Sequence, residues 1–319
     1  MTKLFLKAIC LSLLLYSCAT PSSEKTTIQD LSSLTLIHSN NKWHFETNEG
    51  EKVPHLGDWN AVRVLVSNPA EFLFFDLQLG KEHEHPDFSF ITEDSVPVDW
   101  FNVHPLYFIL EDKSGQTYLL DEMHPNNLLK VALSFDDISE HTKALCLTGL
   151  HIDTFLQTPG KVKQIKQLII ADTKLKHIDA AALNAFESLQ YFDLIYNKWI
   201  ALNFKPEHFK QLSHLNVYFN YFSSPKEINN HYLNIKELKS LKHLDLSFNA
   251  LQQLPTGIET LSNLTVLDLT HNNIKQLPAG LEKLKTLQEL SFVGNYIPDS
   301  SIVNLQKQLP DCHIEYGEF

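Results

Sequence analysis

The sequence predicts an α/β protein: a curved solenoid of stacked coils with a concave parallel sheet, preceded by a small antiparallel β domain. Three observations predict it. From about residue 138, apolar residues return at positions 1, 4 and 6 of a unit that repeats every 23 to 24 residues, with a single longer step of 29. A polar residue, usually asparagine, stands three places after the third apolar one in every unit after the first. Between about residues 30 and 137 this period is absent, and short β-rich runs are divided by turn signals instead. The chain therefore divides into 1–17, 18–29, 30–137 and 138–319, each justified below.

The first seventeen residues read as a signal peptide. Lys3 and Lys7 make a basic start, and Ala8–Tyr16 is an apolar stretch too short to span a bilayer. Leu15-Tyr16-Ser17-Cys18 follows, which resembles the lipobox of bacterial lipoproteins; Leu15, Ser17 and Cys18 match, and Tyr16 is bulkier than usual. The resemblance implies lipidation of Cys18 and a protein anchored to a membrane of the cell envelope. An ordinary secretory signal and a secreted protein are the alternative. Ala19–Thr27, rich in Ser, Thr and Pro, reads as a flexible tether.

Composition bounds the function. The 319 residues carry a formal charge of −12, and Arg63 is the sole arginine, which disfavours a nucleic-acid partner. Cys10 leaves with the signal and Cys18 takes lipid, so Cys146 and Cys312 remain, in the first and last coils and too far apart to bridge. Both are expected to be reduced thiols.

Residues 30–137 contain short β runs at Leu34–Ile37, Trp43–Phe45, Ala61–Val66, Phe72–Leu79, Phe88–Ile91, Tyr107–Leu110, Tyr118–Leu120 and Val131–Phe135. Apolar and polar residues alternate best in Val62–Val66 and Phe72–Leu79, as a half-buried strand requires. A sandwich is among the candidate architectures, and such a domain could cap the first coil of the array. His83 and His85 are spaced to share one face of a strand and chelate a metal. Their setting, Gly80–Asp87, reads instead as a solvated loop, and no spacing fixes a third ligand among Asp87, His104, Asp121 and His124. No metal and no cofactor is expected.

In the array, Leu241, Leu244, Leu246, Asn249, Leu251 and Leu254-Pro255 form the pattern L-x-x-L-x-L-x-x-N-x-L-x-x-L-P. It returns at Leu264, Leu267, Leu269, Asn272, Ile274 and Leu277-Pro278, and again at Leu287, Leu290, Phe292, Asn295 and Ile297-Pro298. Earlier coils place Leu150, Thr173, Asn197 and Asn220 in the asparagine position, and Leu309, Cys312 and Ile314 read as a closing strand. This is the signature of the leucine-rich repeat family, and the chain is identified as resembling its LPxxL variant. Each coil cannot bury its own apolar face, so neighbours stack into a continuous core. Segments such as Gly257–Leu261 should return as a short helix or 3₁₀ turn, and the longer step puts extra residues in Ser223–Leu233.

The register also assigns the outward columns. The first holds Ala144, Gln167, Tyr191, His214, His243, Val266 and Glu289; the second Cys146, Ile169, Asp193, Asn216, Asp245, Asp268 and Ser291. The third holds Thr148, Ala171, Ile195, Tyr218, Ser247, Thr270 and Val293, and the fourth Tyr196, Phe219, Phe248 and His271. Tyr191, Tyr196, Tyr218, Phe219 and Phe248 gather in the middle coils beside Asp193, Asn216, Asp245, Asp268, His214, His243 and His271. Aromatic rings next to polar groups are the usual material of interface hot spots, so this concave cluster is the candidate site for a protein partner of unknown identity.

Catalysis has little support. The chain has no P-loop, G-x-S-x-G, H-E-x-x-H or kinase signature, no histidine stands beside Cys146 in the adjacent columns, and no catalytic domain is expected beyond the array. The expectation is a non-catalytic recognition protein. Two rivals stay open: the β domain as a module binding glycan, peptide or metal, with the repeats as a spacer, and an unrecognised hydrolase.

Overall fold

The computed structural model describes residues 34–40, 42–47, 49–68, 73–79, 95–97, 106–121, 128–149, 161–173, 175, 177–178, 180–197, 201–202, 209–220, 235–277 and 279–317. The chain forms two compact units that divide between Val131 and Ala132.

In the first unit, β1 (Leu34–Ser39), β2 (Lys42–Thr47) and β5 (Ser95–Pro97) form an antiparallel sheet in the order β2-β1-β5. A second antiparallel set runs β4-β3-β6-β7-β8, from β3 (Ala61–Asn68), β4 (Leu73–Leu79), β6 (Leu106–Glu111), β7 (Thr117–Asp121) and β8 (Leu129–Ala132). Alternation decides what is buried between them. Leu34, Leu36, Trp43 and Phe45 from the first sheet share one core with Val62, Val64, Phe108, Leu110 and Leu120 from the second. Phe45 and Phe108 meet edge to face at 5.4 Å, an arrangement their ring quadrupoles favour. The domain is a sandwich. One expectation needs correcting, and one strand was not among the expected runs. β5 is that strand, and the run Val131–Phe135 is a strand only as far as Ala132. Phe135 lies instead in a turn closed by the Ser134 hydroxyl donating to Asp137 at 2.7 Å, and it is buried in the core of the second unit. The run Phe88–Ile91 and the residues His83, His85, Asp87, His104 and His124 lie outside the described residues. Asp121 is buried in β7.

The second unit is a ladder of parallel strands: β9 (Ala144–Thr148), β10 (Gln167–Ala171), β12 (Tyr191–Ile195), β14 (His214–Asn216), β15 (His243–Asp245), β16 (Val266–Asp268), β17 (Glu289–Ser291) and β18 (His313–Glu315). On the return side lie the short pair β11 (His177–Ile178) and β13 (Ala201–Leu202), the helices α1 (Ala180–Asn184) and α2 (Asp299–Gln308), and 3₁₀ turns at Ile235–Glu237, Ile258–Thr260 and Leu281–Lys283. The apolar positions of every described coil meet in one buried cluster running from Ala132 to Ile314. Leu150 and Ser223–Leu233 lie outside the described residues.

The recurring asparagine has a defined task. Leaving the strand, the chain turns inward and carries peptide groups away from water, where each needs a partner. Asn249 is fully buried; its Nδ2 donates to the carbonyls of Val217 (2.8 Å), Leu246 (3.1 Å) and Ser247 (3.0 Å). Its Oδ1 accepts from the backbone N–H of Asn220 at 2.7 Å. Asn197, Asn220 and Asn272 repeat the arrangement, each bonded to the coil behind. Thr173 holds the position in the second coil, where its hydroxyl donates to Asn197 Oδ1 at 2.7 Å.

Cys146 and Cys312 are both buried, and neither is in a disulfide. Burial, with the nearby charge of Glu289 adding to it, pushes the Cys312 thiol up to about 11. A thiol that stays protonated is a poor nucleophile. In the native protein Cys312 should therefore label with a maleimide at least about a hundredfold more slowly than in urea, read by mass spectrometry. Equal rates would show that the closing strand opens readily.

Candidate functional site

Strand pairing sets the outward columns side by side. Tyr191, His214, His243, Val266, Glu289 and His313 follow one another on adjacent strands, as do Asp193, Asn216, Asp245, Asp268, Ser291 and Glu315. At the parallel-strand spacing of roughly 4.8 Å, flat side chains in one column are close enough to stack. They do so in two rows. In the first, Tyr191 lies on His214 with ring centroids 4.5 Å apart, and His214 on His243 at 5.5 Å. In the second, Tyr196 stacks on Phe219 at 5.1 Å, Phe219 tilts against Phe248 at 6.1 Å, and Phe248 lies 4.3 Å from His271.

The second row stands on an unusual backbone. Asp172, Tyr196, Phe219, Phe248 and His271 all have φ between 48° and 54°, in the left-handed region that bulky residues avoid. What holds them there is a hydrogen-bond ladder. The N–H of Tyr196 donates to Tyr218 O, that of Phe219 to Ser247 O, that of Phe248 to Thr270 O and that of His271 to Val293 O, at 2.8–3.2 Å. The turn points the next residue, the asparagine, into the core. This conformation predicts an inversion of the usual glycine penalty. Phe248→Gly should be about 1 kcal/mol more stable than Phe248→Ala, because only alanine meets the left-handed cost. Urea unfolding of the two variants measures it, and a more stable alanine variant would contradict the assigned backbone.

The polar column between the rows is partly occupied by the fold itself. Asp245 Oδ1 accepts from the N–H and the hydroxyl of Ser247, Asp268 Oδ1 from the N–H of Thr270 at 2.8 Å, and Asn216 Oδ1 from the N–H of Tyr218 at 2.9 Å. These are side-chain turns closing on the backbone two residues on. Asp193 Oδ2 accepts a long 3.4 Å bond from Gln167 of the coil behind.

The expected site residues therefore separate into two groups. Tyr191, His214, His243, Asn216, Tyr196, Phe248, Asp268 and His271 are half-buried and present surface. Tyr218 and Phe219, expected on the open face, are interior, only 1% and 3% exposed. Tyr218 packs against Phe219 at 5.9 Å and Phe248 at 5.3 Å and so supports the row from beneath, while Phe219 is the buried member of the row. Asp193 and Asp245 are also buried. Sequence reasoning left out three members of the pattern: Asp172 and Gly294 in the left-handed row, and His313 closing the first column. Each stands at the same offset from its coil's apolar positions, so the repeat register itself was the available signal.

His271 packs between Phe248 and the bare face of Gly294, where an added Cβ would lie 2.6 Å from its Nδ1. Burial holds its protonation below the usual histidine value, against an opposing pull from Asp268. The folded state thus binds this proton more weakly than the unfolded chain. The stability it contributes is present above the unfolded value of 6.5 and is lost as pH falls through the depressed folded value. His271→Asn, which suits left-handed backbone and does not titrate, should show a smaller fall in urea midpoint between about pH 7.5 and about pH 5. An identical fall would remove His271 from the acid response. Among the described residues, no group of three or more His, Cys, Asp or Glu is placed to hold a metal ion.

Residues 223–309 match the family described as "Leucine-rich repeat region". No curated protein matches the chain. Among solved structures, a leucine-rich repeat protein of Leptospira interrogans is 25% identical over 61% of this chain, with a TM-score of 0.37; the match spans 50% of that protein's length. Human trophoblast glycoprotein is 18% identical over 60% of this chain and 76% of its own, with a TM-score of 0.46. An internalin of Listeria monocytogenes is 20% identical over 60% and 80%, with a TM-score of 0.42. The period, the asparagine ladder and the family match lead to one conclusion: this chain carries a leucine-rich repeat domain.

Proposed function

We propose that the protein is a non-catalytic leucine-rich repeat protein of the cell envelope, which recognises a protein partner through the outward face of its parallel sheet. Lipid on Cys18 would hold it to a membrane. The observation that carries the recognition reading is the pair of ring rows, in which Tyr191, His214, His243, Tyr196, Phe248 and His271 are half-buried on either side of a polar column. Rigid rings held by their neighbours lose little conformational freedom when a partner covers them, which is why such groups concentrate binding energy. The reading needs no cofactor. Anchoring rests on Leu15, Ser17 and Cys18, which lie outside the described residues; among those described, no helix is long and apolar enough to cross a membrane.

Capture from native envelope extract by the full mature chain tests the site. Tyr191→Ala combined with Phe248→Gly should reduce capture about tenfold or more while the variant stays folded. Undiminished capture by the folded variant would place recognition elsewhere. Cys18→Ala should move the protein from the detergent phase to the aqueous phase; a native protein already in the aqueous phase would dispose of the anchor.

A further inference from the structure

Charge is distributed one-sidedly over the repeat sheet. The outward strand positions from β9 to β18 include Asp193, Asp245, Asp268, Glu289 and Glu315, and not one lysine or arginine. The array's lysines stand elsewhere. Lys143, Lys166 and Lys242 come immediately before β9, β10 and β15, and Lys236, Lys239, Lys283 and Lys285 lie on the return side. Before β16, β17 and β18 the matching residues are Thr265, Gln288 and Cys312. The last three strands therefore carry carboxylates on the face and no lysine or arginine on the approach to it, though Glu315 has His313 beside it at 3.3 Å. Asp268, Glu289 and Glu315 are all half-buried there, so each meets solvent.

The ring row ends in Phe248 and His271, His271 feels the charge of Asp268, and Glu289 and Glu315 stand on the next two strands. Lysine and arginine side chains match such a surface, because their aliphatic stems cover apolar area while the charged head reaches on to an acid. An acidic segment would be repelled, and a wholly apolar one would strip water from Asp268 and Glu289 without returning a hydrogen bond. We infer that the partner surface seated on this face is cationic: an extended peptide segment bearing lysine or arginine, with its heads on Asp268 and Glu289 and its stems along the Phe248–His271 row. This rests on the reading of the sheet face as the recognition site and names the partner's chemistry.

The test uses the full mature protein and three labelled synthetic peptides of equal length, alternating glycine with arginine, serine or glutamate. The arginine peptide alone should bind, and raising the ionic strength from about 0.02 to about 0.3 M should weaken it. Asp268→Asn with Glu289→Gln should lower its affinity about tenfold or more; the asparagine keeps the turn bond to Thr270. Glu140→Gln with Glu237→Gln removes the same charge at exposed positions off the face and should change affinity less than about twofold. Equal losses from the two pairs would mean that only the overall negative field attracts the peptide, and the inference falls. It falls alone if no arginine peptide binds while Tyr191→Ala with Phe248→Gly still abolishes capture from extract. If that capture also survives, the recognition face falls with it.

Discussion

Replacing Asn249 with alanine should destabilise the repeat domain by about 3–4 kcal/mol. The change deletes three donor bonds and one acceptor bond in a fully buried setting and leaves the N–H of Asn220 without its 2.7 Å partner. An unsatisfied buried donor costs about 1–3 kcal/mol, and the small cavity adds to that. The comparison is Asn263→Ala. That side chain is exposed and makes one bond, to Lys239 O at 2.8 Å, so its loss should cost under about 0.5 kcal/mol. Urea titrations of both variants give the difference, and a loss below about 1 kcal/mol at Asn249 would mean that water replaces the ladder.

Gly257→Ala should cost about 2–3 kcal/mol, the second large effect. Gly257 precedes a 3₁₀ turn with φ at 89°, and an added Cβ would lie 2.6 Å from the Cβ of Lys236 on the turn of the coil behind. Both atoms sit next to backbone, so the turns themselves must part. Gly280 occupies the same place one coil later, where the nearest approach is 3.1 Å to Glu259, so Gly280→Ala should cost less. Gly115, at φ 78° with nothing within 4 Å of an added Cβ, bears only the backbone cost of about 1 kcal/mol. Thermal unfolding should rank the three 257, 280, 115. A reversed order would show that return-side packing does not limit the spacing between coils.

Much of this was readable before any coordinates, because strand alternation is rigid. Once Leu244 and Leu246 point inward, His243, Asp245 and Ser247 must point outward, and the paired columns follow strand by strand. Two properties had no such signal. Left-handed backbone at Tyr196, Phe219 and Phe248 is imposed by bonds to the next coil, against what aromatic residues prefer, so their identity points away from it. The burial of Tyr218 depends on which neighbouring ring leans over it, a matter of packing that periodicity does not encode. Asp245 and Asp268 show a third kind of blindness. A short acid two residues before a turn reads equally as ligand or as a turn brace, and here it at least braces the turn.

The asparagine ladder bears on how such a protein can lengthen or shorten over generations. Asn249 and Asn272 stand 23 residues apart and are joined as Asn197 and Asn220 are, so the junction between coils is chemically the same at both places. An in-frame duplication of 23 residues, cut anywhere within the unit, would regenerate every bond at both of its seams. A change in length within the stretch from strand to asparagine would instead present a donor to the wrong carbonyl, whereas the 24-residue step from Thr173 to Asn197 keeps its bond. The interval of 29 residues between Asn220 and Asn249 still keeps the 2.7 Å bond, so extra residues are tolerated only where they leave the ladder between one asparagine and the next. Inheritance can thus vary the number of coils and the length of the loops freely, while the spacing of the rungs stays constant.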